Sequence, residues 1–149
     1  MVKKALPTDA EIAILAVLWR RGPSTVREVH EALRSEQDTG YTTVLKLMQI
    51  MAQKGLVARD EAQRSHVYRA LVSEEQAQRG LVHDLVDKAF GGSAARLVLR
   101  ALSSERASPE ELEQIRALLD GLDNGDRAER ADRAERVERA ERAERKEKK

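Results

Sequence analysis

The sequence predicts a mainly α-helical protein with one small β-hairpin, and three observations indicate this fold class. Helix-start motifs recur along the chain, and apolar residues follow them at the spacing of one helix face. Only one pair of short extended runs, residues 56–61 and 65–70, lies between the helices, and a short link joins them. Aromatic residues make up only 3% of the chain, so the core must be aliphatic.

The composition excludes several classes of protein. The chain has no cysteine, which removes disulfides, thiolate metal sites and cysteine nucleophiles. Because it has no long apolar run, we expect no signal peptide, no membrane insertion and a cytoplasmic protein. No nucleophile–base pair or phosphate-binding loop stands out, so we expect no enzyme, no metal and no cofactor. His83 and Asp87, four residues apart, fit a surface hydrogen bond better than a metal site.

Two helices are predicted in the first 34 residues, and each begins at a capping box. Thr8 and Glu11 form the first box, in which each side chain bonds the backbone of the other residue. Thr25 and Glu28 form the second box, after a Gly-Pro pair that ends the first helix. The first helix is expected to bury one face, formed by Ile12, Leu15, Ala16 and Trp19.

Residues 40–55 contain the third predicted helix, whose two faces differ in chemistry. At about 100° per residue, the apolar residues fall on one side: Val44, Leu47, Met48 and Met51. The other side offers hydroxyls, amides and one cation but no carboxylate, in the set Thr42, Thr43, Lys46, Gln49 and Gln53. Such groups can bond base edges and phosphates, which indicates a DNA-recognition helix. The alternative is an ordinary amphipathic surface helix.

The hairpin follows this helix directly, so the element order is helix, helix, helix, hairpin. That order is typical of a winged helix-turn-helix domain, which we assign to residues 1–72. Arg59, Arg64 and His66 are the candidate phosphate contacts of the wing, and Gln63 lies at its tip. The alternative is that these cations are solvated hairpin charges. Residues 1–72 carry 11 basic and 8 acidic side chains, which favours contact with a polyanion in this part of the chain.

Residues 73–122 are predicted to form three short helices with bare apolar faces. Such a region cannot easily build its own core, so we expect an α-helical dimerisation domain. Its candidate contact residues are Leu81, Leu85, Val86, Phe90, Leu97, Val98, Leu112, Ile115, Leu118 and Leu119. The alternative is that these faces pack back on the first domain. Acidic residues outnumber basic ones here by 9 to 6, which would keep this region away from DNA.

Residues 123–149 form a charged tail of low complexity. Acidic and basic residues pair at i,i+4, as in Glu135 with Arg139, and this spacing supports an exposed helix. The small apolar residues recur every third position and therefore drift around the helix instead of forming a stripe. We expect a solvated single helix or a disordered tail, not a coiled coil.

Residues 6–122 resemble the penicillinase-repressor family, which includes the methicillin-resistance repressor and copper-responsive repressors of bacteria. The motifs that carry the resemblance are Pro-Thr-Asp-Ala-Glu at 7–11, Thr-Val-Arg-Glu-Val at 25–29, Gly-Tyr-Thr-Thr-Val at 40–44, Gln-Lys-Gly-Leu-Val at 53–57, Val-Tyr at 67–68, Leu-Val-Leu at 97–99 and Ser-Pro-Glu-Glu-Leu at 108–112. The resemblance implies a homodimeric winged-helix repressor on double-stranded operator DNA, an inverted repeat with TACA/TGTA-like half-sites. It also implies that Thr42, Thr43 and Lys46 enter the major groove, with the two helices roughly 34–36 Å apart.

Two departures from the family pattern bear on how the protein would be induced. Family members controlled by a membrane-bound sensor protease are cut at an Asn-Phe bond after the Leu-Val-Leu motif, and this chain has Arg100 and Ala101 there. Copper-responsive members carry a cysteine-rich C-terminus, and this chain has no cysteine. Taken as a whole, the resemblance favours a DNA-binding repressor. The alternative is a winged-helix protein-interaction module without sequence-specific DNA binding.

Overall fold

The computed structural model describes residues 6–62 and 64–148. Two of the predictions fall on residues outside this description. One is the expected absence of a signal peptide, which involves residues 1–5, and the other is the place of Gln63 at the hairpin tip. The chain forms two compact units, the first ending at Ala94 and the second beginning at Ala95. The predicted fold class is confirmed, because helices dominate and the described strands form one small antiparallel sheet.

Three helices open the first unit: α1 (Asp9–Arg21), α2 (Val26–Arg34) and α3 (Tyr41–Lys54). Both predicted capping boxes are present, with Thr8 capping α1 and Thr25 capping α2. Gly55 ends α3 in the left-handed conformation, with φ of 80°, which a side chain would disfavour. The chain then turns directly into the hairpin.

The hairpin consists of β2 (Val57–Asp60) and β3 (Val67–Ala70) in antiparallel register. A third strand, β1 (Ser24–Thr25), pairs with the other edge of β3, so the sheet order is β1-β3-β2. This short strand was not predicted. It joins the N-terminus of α2 to the first residues of β3, Val67 and Tyr68, which fixes the wing against the helix-turn-helix.

An aliphatic core holds the first unit together. Its members are contributed by all three helices and by the hairpin, and the fully buried ones include Ile14, Leu15, Val29, Val44, Met48, Met51 and Tyr68. The inner face of α3 agrees with the prediction, although Leu47 is only partly buried. On α1 the prediction was partly wrong, because Ala16 is exposed while Ile14 and Val17 are buried.

Helix α4 (Glu74–Ala89) belongs to the same compact unit and packs against α1. The indole Nε1 of Trp19 donates a hydrogen bond to the carbonyl oxygen of Val72, just before α4, at 2.9 Å. Leu6 lies against Gly80 so closely that a Cβ there would meet Leu6 Cδ2 at 3.3 Å. The contact division therefore falls after α4, whereas the boundary that we predict at residues 72–73 rests on function and stays a prediction.

The second unit contains nearly all of α5 (Ala94–Ser104) and the whole of α6 (Pro109–Glu147). Ser108 caps α6 through a capping box, with a proline in its first turn. The helix continues through the charged tail, where i,i+4 ion pairs recur, including Asp132–Arg136 at 3.0 Å and Glu135–Arg139 at 2.9 Å. Of the two expectations for the tail, the structure agrees with the single solvated helix.

Candidate nucleic-acid interface

The outer face of α3 is open to solvent and carries no acidic residue. All five residues predicted for this face are exposed: Thr42, Thr43, Lys46, Gln49 and Gln53. Gly40 precedes the helix and provides no side-chain cap, so no side chain occupies the first backbone N–H groups. Uncapped N–H groups at a helix N-terminus can receive a phosphate oxygen. The N-terminal half of α3 therefore offers both base-directed and phosphate-directed donors.

A groove of about 550 Å³ lies beside this face, between α2, α3 and the wing. It brings together four of the predicted site residues, namely Gln49, Arg59, Arg64 and His66. Thr42, Thr43, Lys46 and Gln53 do not line it and stay on the open surface of α3. The groove also contains polar residues that the sequence reasoning missed: Thr25, Arg27, Tyr41 and Ser65. Thr25 lies near the wing because β1 pairs with β3, and no local sequence signal predicts that pairing.

Arg59 differs from the other wing cations because a carboxylate already holds it. Its Nη2 is ion-paired with Glu61, and its side chain also hydrogen-bonds Tyr68, the residue opposite it on β3. The bond to Glu61, followed by the bond to Tyr68, raises the pKa of Arg59 further above its usual range. Among the residues that the structure describes, Arg64 and His66 have no ion-pair partner, and both are exposed. Their side chains are therefore more accessible to a ligand than the guanidinium of Arg59.

The turn between α2 and α3 is fixed by a histidine. His30 Nε2 lies 2.9 Å from the carbonyl oxygen of Thr39, and its ring meets the ring of Tyr41 edge to face, with the centroids 6.0 Å apart. Because a carbonyl only accepts, Nε2 carries the hydrogen of this bond. His30 thus packs against the start of α3.

The far end of α3 is held by an ion pair with a buried carboxylate. Glu11 is 1% exposed, and Lys54 Nζ lies 2.7 Å from its Oε1. Burial by itself would raise the pKa of Glu11, but hydrogen bonds from Lys54 and Thr8 outweigh burial and lower that pKa below the usual glutamate range. The glutamate is therefore anionic at neutral pH.

The apolar residues predicted to mediate dimerisation are mostly accessible in the single chain. Leu85, Val98, Leu118 and Leu119 are exposed, while Leu81, Phe90, Leu97, Leu112 and Ile115 are partly buried. Val86 differs, because it is only 7% exposed and has little area left to give to a partner. Leu99 and Leu122 were not among the predicted contacts, yet they are 68% and 62% exposed. Arg100 and Ala101, where cleavage was considered, are both exposed on α5.

Within residues 6–62 and 64–148, no three histidine, aspartate or glutamate side chains are grouped so that they could hold a metal ion. In the same part of the chain, no helix is long and apolar enough to cross a membrane.

The fold and the site together define a winged-helix DNA-binding protein, in which α3 is the third helix and β2–β3 is the wing. Comparison with known proteins identifies the family within this class. Residues 7–121 match the penicillinase repressor family. The transcriptional regulator BlaI of Mycobacterium tuberculosis is 34% identical over 120 residues, which cover 80% of this chain and 86% of that protein. The chain belongs to the penicillinase repressor family, and it is a DNA-binding transcriptional repressor.

Two further matches are less similar in sequence. The methicillin resistance regulatory protein MecI of Staphylococcus aureus is 22% identical over 113 residues, which cover 76% of this chain and 92% of that protein. A solution structure of the DNA-binding domain of the repressor BlaI is similar with a TM-score of 0.45 and 22% identity, over 51% of this chain and 93% of that one.

Proposed function

We propose that the protein represses transcription as a homodimer, with the N-terminal half of each α3 in the major groove of an inverted-repeat operator. The observation that carries this proposal is the open, acid-free face of α3 beside a groove that the wing closes on one side. Thr42, Thr43 and Lys46 contact base edges, and Gln49 and Gln53 lie further along the same face. Because DNA is a polyanion, a face without carboxylates meets it without charge repulsion.

Phosphate contacts hold the protein in register on the duplex. Arg64 and His66 reach the backbone from the wing, and the uncapped start of α3 receives a second phosphate. Arg59 joins them only after it exchanges Glu61 for a phosphate. The site of action is the cytoplasm, where operator DNA is accessible.

The exposed apolar side chains of α4, α5 and α6 support dimerisation. A second chain would cover Leu85 on α4 and, separately, Val98, Leu118 and Leu119 on α5 and α6, and two-fold homodimers are the commonest oligomers. Two-fold symmetry then sets one recognition helix in each of two successive major grooves, roughly 34–36 Å apart. This arrangement explains why an inverted repeat is the matching DNA.

Proteolytic inactivation by a membrane-bound sensor protease is the induction route that the family suggests. Arg100 and Ala101 are exposed, but the bond between them lies inside α5, so cleavage there requires local opening of the helix. Incubation of the folded repressor with membranes of the host, followed by mass spectrometry of the fragments, tests this route. A cut elsewhere, or an intact chain under inducing conditions, would argue against Arg100–Ala101 as the cleavage position.

DNA binding is tested by selecting an operator with the wild-type protein from a randomised pool of duplexes. We expect a TACA/TGTA-like inverted repeat to be enriched. Fluorescence anisotropy at several salt concentrations then compares wild type with Lys46→Ala, which should weaken binding, and Thr43→Val, which should reduce discrimination against random DNA. Lys88→Ala is the matched control, because Lys88 pairs with Asp84 on α4 and lies outside the interface. Equal operator binding by wild type and both α3 variants would refute the assigned interface.

A further inference from the structure

The buried ion pair between α1 and α3 lies outside the DNA-facing surface. Glu11 belongs to the first turn of α1, and Lys54 is the last residue of α3. The Nζ atom of Lys54 donates to both carboxylate oxygens, at 2.7 Å from Oε1 and 3.1 Å from Oε2. Since the two residues are 43 positions apart in sequence, the pair is a long-range link between the start of the first helix and the end of the recognition helix.

The same carboxylate also closes the cap of α1. Oε1 of Glu11 accepts a hydrogen bond from the backbone N–H of Thr8 at 3.0 Å, and Thr8 Oγ1 accepts one from the N–H of Glu11 at 3.3 Å. On the other side of the pair, Gly55 turns the chain away from α3 in the left-handed conformation. The C-terminus of α3 is therefore held by directional bonds to a side chain whose Oε1 is itself fixed by the cap of α1.

Stability alone does not account for such a pair. The carboxylate of Glu11 is buried, while the side chain of Lys54 is 28% exposed. Removing the carboxylate from water costs free energy that its attraction to Lys54 need not exceed, so such an ion pair is weak evidence for stabilisation. Three fully buried apolar residues, Val44, Met48 and Met51, already hold the inner face of α3. Hydrophobic burial is non-directional, whereas a hydrogen-bonded ammonium–carboxylate contact has preferred distances and angles. The pair therefore adds a directional restraint at the end of α3.

The geometry of α3 makes its orientation matter for binding. Lys46 and Thr43 precede Lys54 by 8 and 11 residues, or about 12 and 17 Å along a helix axis. A small tilt at the anchored end is therefore amplified at the end that faces DNA, where hydrogen bonds to base edges tolerate only small errors. We propose that Glu11 and Lys54 are positioning residues for operator recognition, and that their ion pair sets the angle at which α3 presents Thr43 and Lys46 to the bases. This inference rests on the proposed function.

The double variant Glu11→Gln/Lys54→Met tests the inference. Glutamine can still complete the capping box, methionine keeps an unbranched stem, and the net charge is unchanged because one acid and one base are lost together. Operator affinity should fall by at least about tenfold, the scale of one base contact. Affinity for a random duplex and its salt dependence should stay at the wild-type level, because no phosphate contact is lost. The control variant Asp84→Asn/Lys88→Met removes an exposed pair on α4 and should leave both affinities unchanged.

Circular dichroism melting accompanies these titrations, so that binding is compared between folded proteins. If the double variant does not fold, Lys54→Arg serves instead, since it keeps the ion pair but lengthens one partner and shifts the end of α3. Unchanged operator affinity in the folded variant overturns the inference and leaves the proposed function intact, because the wild type still binds its operator. An equal loss on operator and random DNA also overturns it, because that result indicates a general structural role. Failure of the wild type to enrich any operator would overturn both proposals.

Discussion

Substituting Glu61 by glutamine should strengthen DNA binding, because it releases Arg59. In the free protein the guanidinium of Arg59 is held by Glu61 and Tyr68, at the edge of the groove that also contains Arg64 and His66. Glutamine removes the negative charge that competes with a phosphate but keeps the length of the side chain. Since exposed ion pairs contribute little to stability, the fold should persist.

The magnitude follows from counterion release. One additional phosphate contact steepens the slope of log K against log salt concentration by about 0.9. Between about 200 and about 50 mM salt, the affinity of Glu61→Gln should therefore rise about 3.5-fold more than that of wild type for each Arg59 that engages. Because the contact is to the backbone, the change should be the same on operator and random duplexes.

Fluorescence anisotropy at four salt concentrations measures both slopes. Glu75→Gln is the matched control, since it makes the same charge change on α4, where Glu75 pairs with Arg79 at 2.6 Å away from the groove. If Glu61→Gln and Glu75→Gln give the same slope, Arg59 does not reach DNA, and the reasoning about the wing is refuted.

Two further predictions concern the folding of the first unit. Met48→Ala should lower the free energy of unfolding by about 2–5 kcal/mol in urea titrations, because Met48 is fully buried beneath α3 and its truncation leaves a cavity. The ion pair of Glu11 with Lys54 should make the free energy of unfolding depend on pH. The pKa of Glu11 is lower in the folded protein than in the unfolded chain, so its contribution is fully present above the unfolded pKa of about 4.3 and is lost as the pH falls through the folded value. The difference in unfolding free energy between wild type and Glu11→Gln should therefore shrink from about pH 7 to about pH 3.

Each of these predictions has a clear contrary result. A loss below about 1 kcal/mol for Met48→Ala would mean that α3 is not held by its inner face. If the difference in unfolding free energy between wild type and Glu11→Gln stays constant with pH, the stabilising contribution of Glu11 does not depend on its negative charge. Comparing the two proteins at each pH cancels the titration of the other carboxylates that they share.

Local patterns were sufficient for most of the fold. The capping boxes at Thr8 and Thr25 were predicted correctly because they depend on residues three positions apart. The faces of α3 were predicted well because one side packs on the core and the other is open. On α1 the single-stripe assumption missed Ile14 and Val17, because that helix packs against α2, α3, β3 and α4 and so buries residues outside the predicted stripe.

Long-range contacts account for what the sequence did not predict. The strand β1 is two residues long and exists only because β3 pairs with it, far along the chain. Glu11 was predicted as a capping residue, but its partner Lys54 could not be identified without the packing of α1 on α3. Arg59 was predicted as a phosphate contact, and the bond to Glu61 became visible only from the side-chain arrangement on the wing. Periodicity specifies which face of an element is exposed, but it does not specify which partner a polar group meets.

The central claim is that the N-terminal half of α3 contacts operator bases while the wing contacts the backbone. Titration of ¹⁵N-labelled protein with the operator selected by the wild type tests this claim most directly. The account predicts that the largest amide shift changes occur at Thr42, Thr43 and Lys46, with a second group at Arg64 and His66. Two results would contradict it. One is that the amide shift changes are confined to α5 and α6, and the other is that no amide shifts change at operator concentrations where anisotropy shows binding.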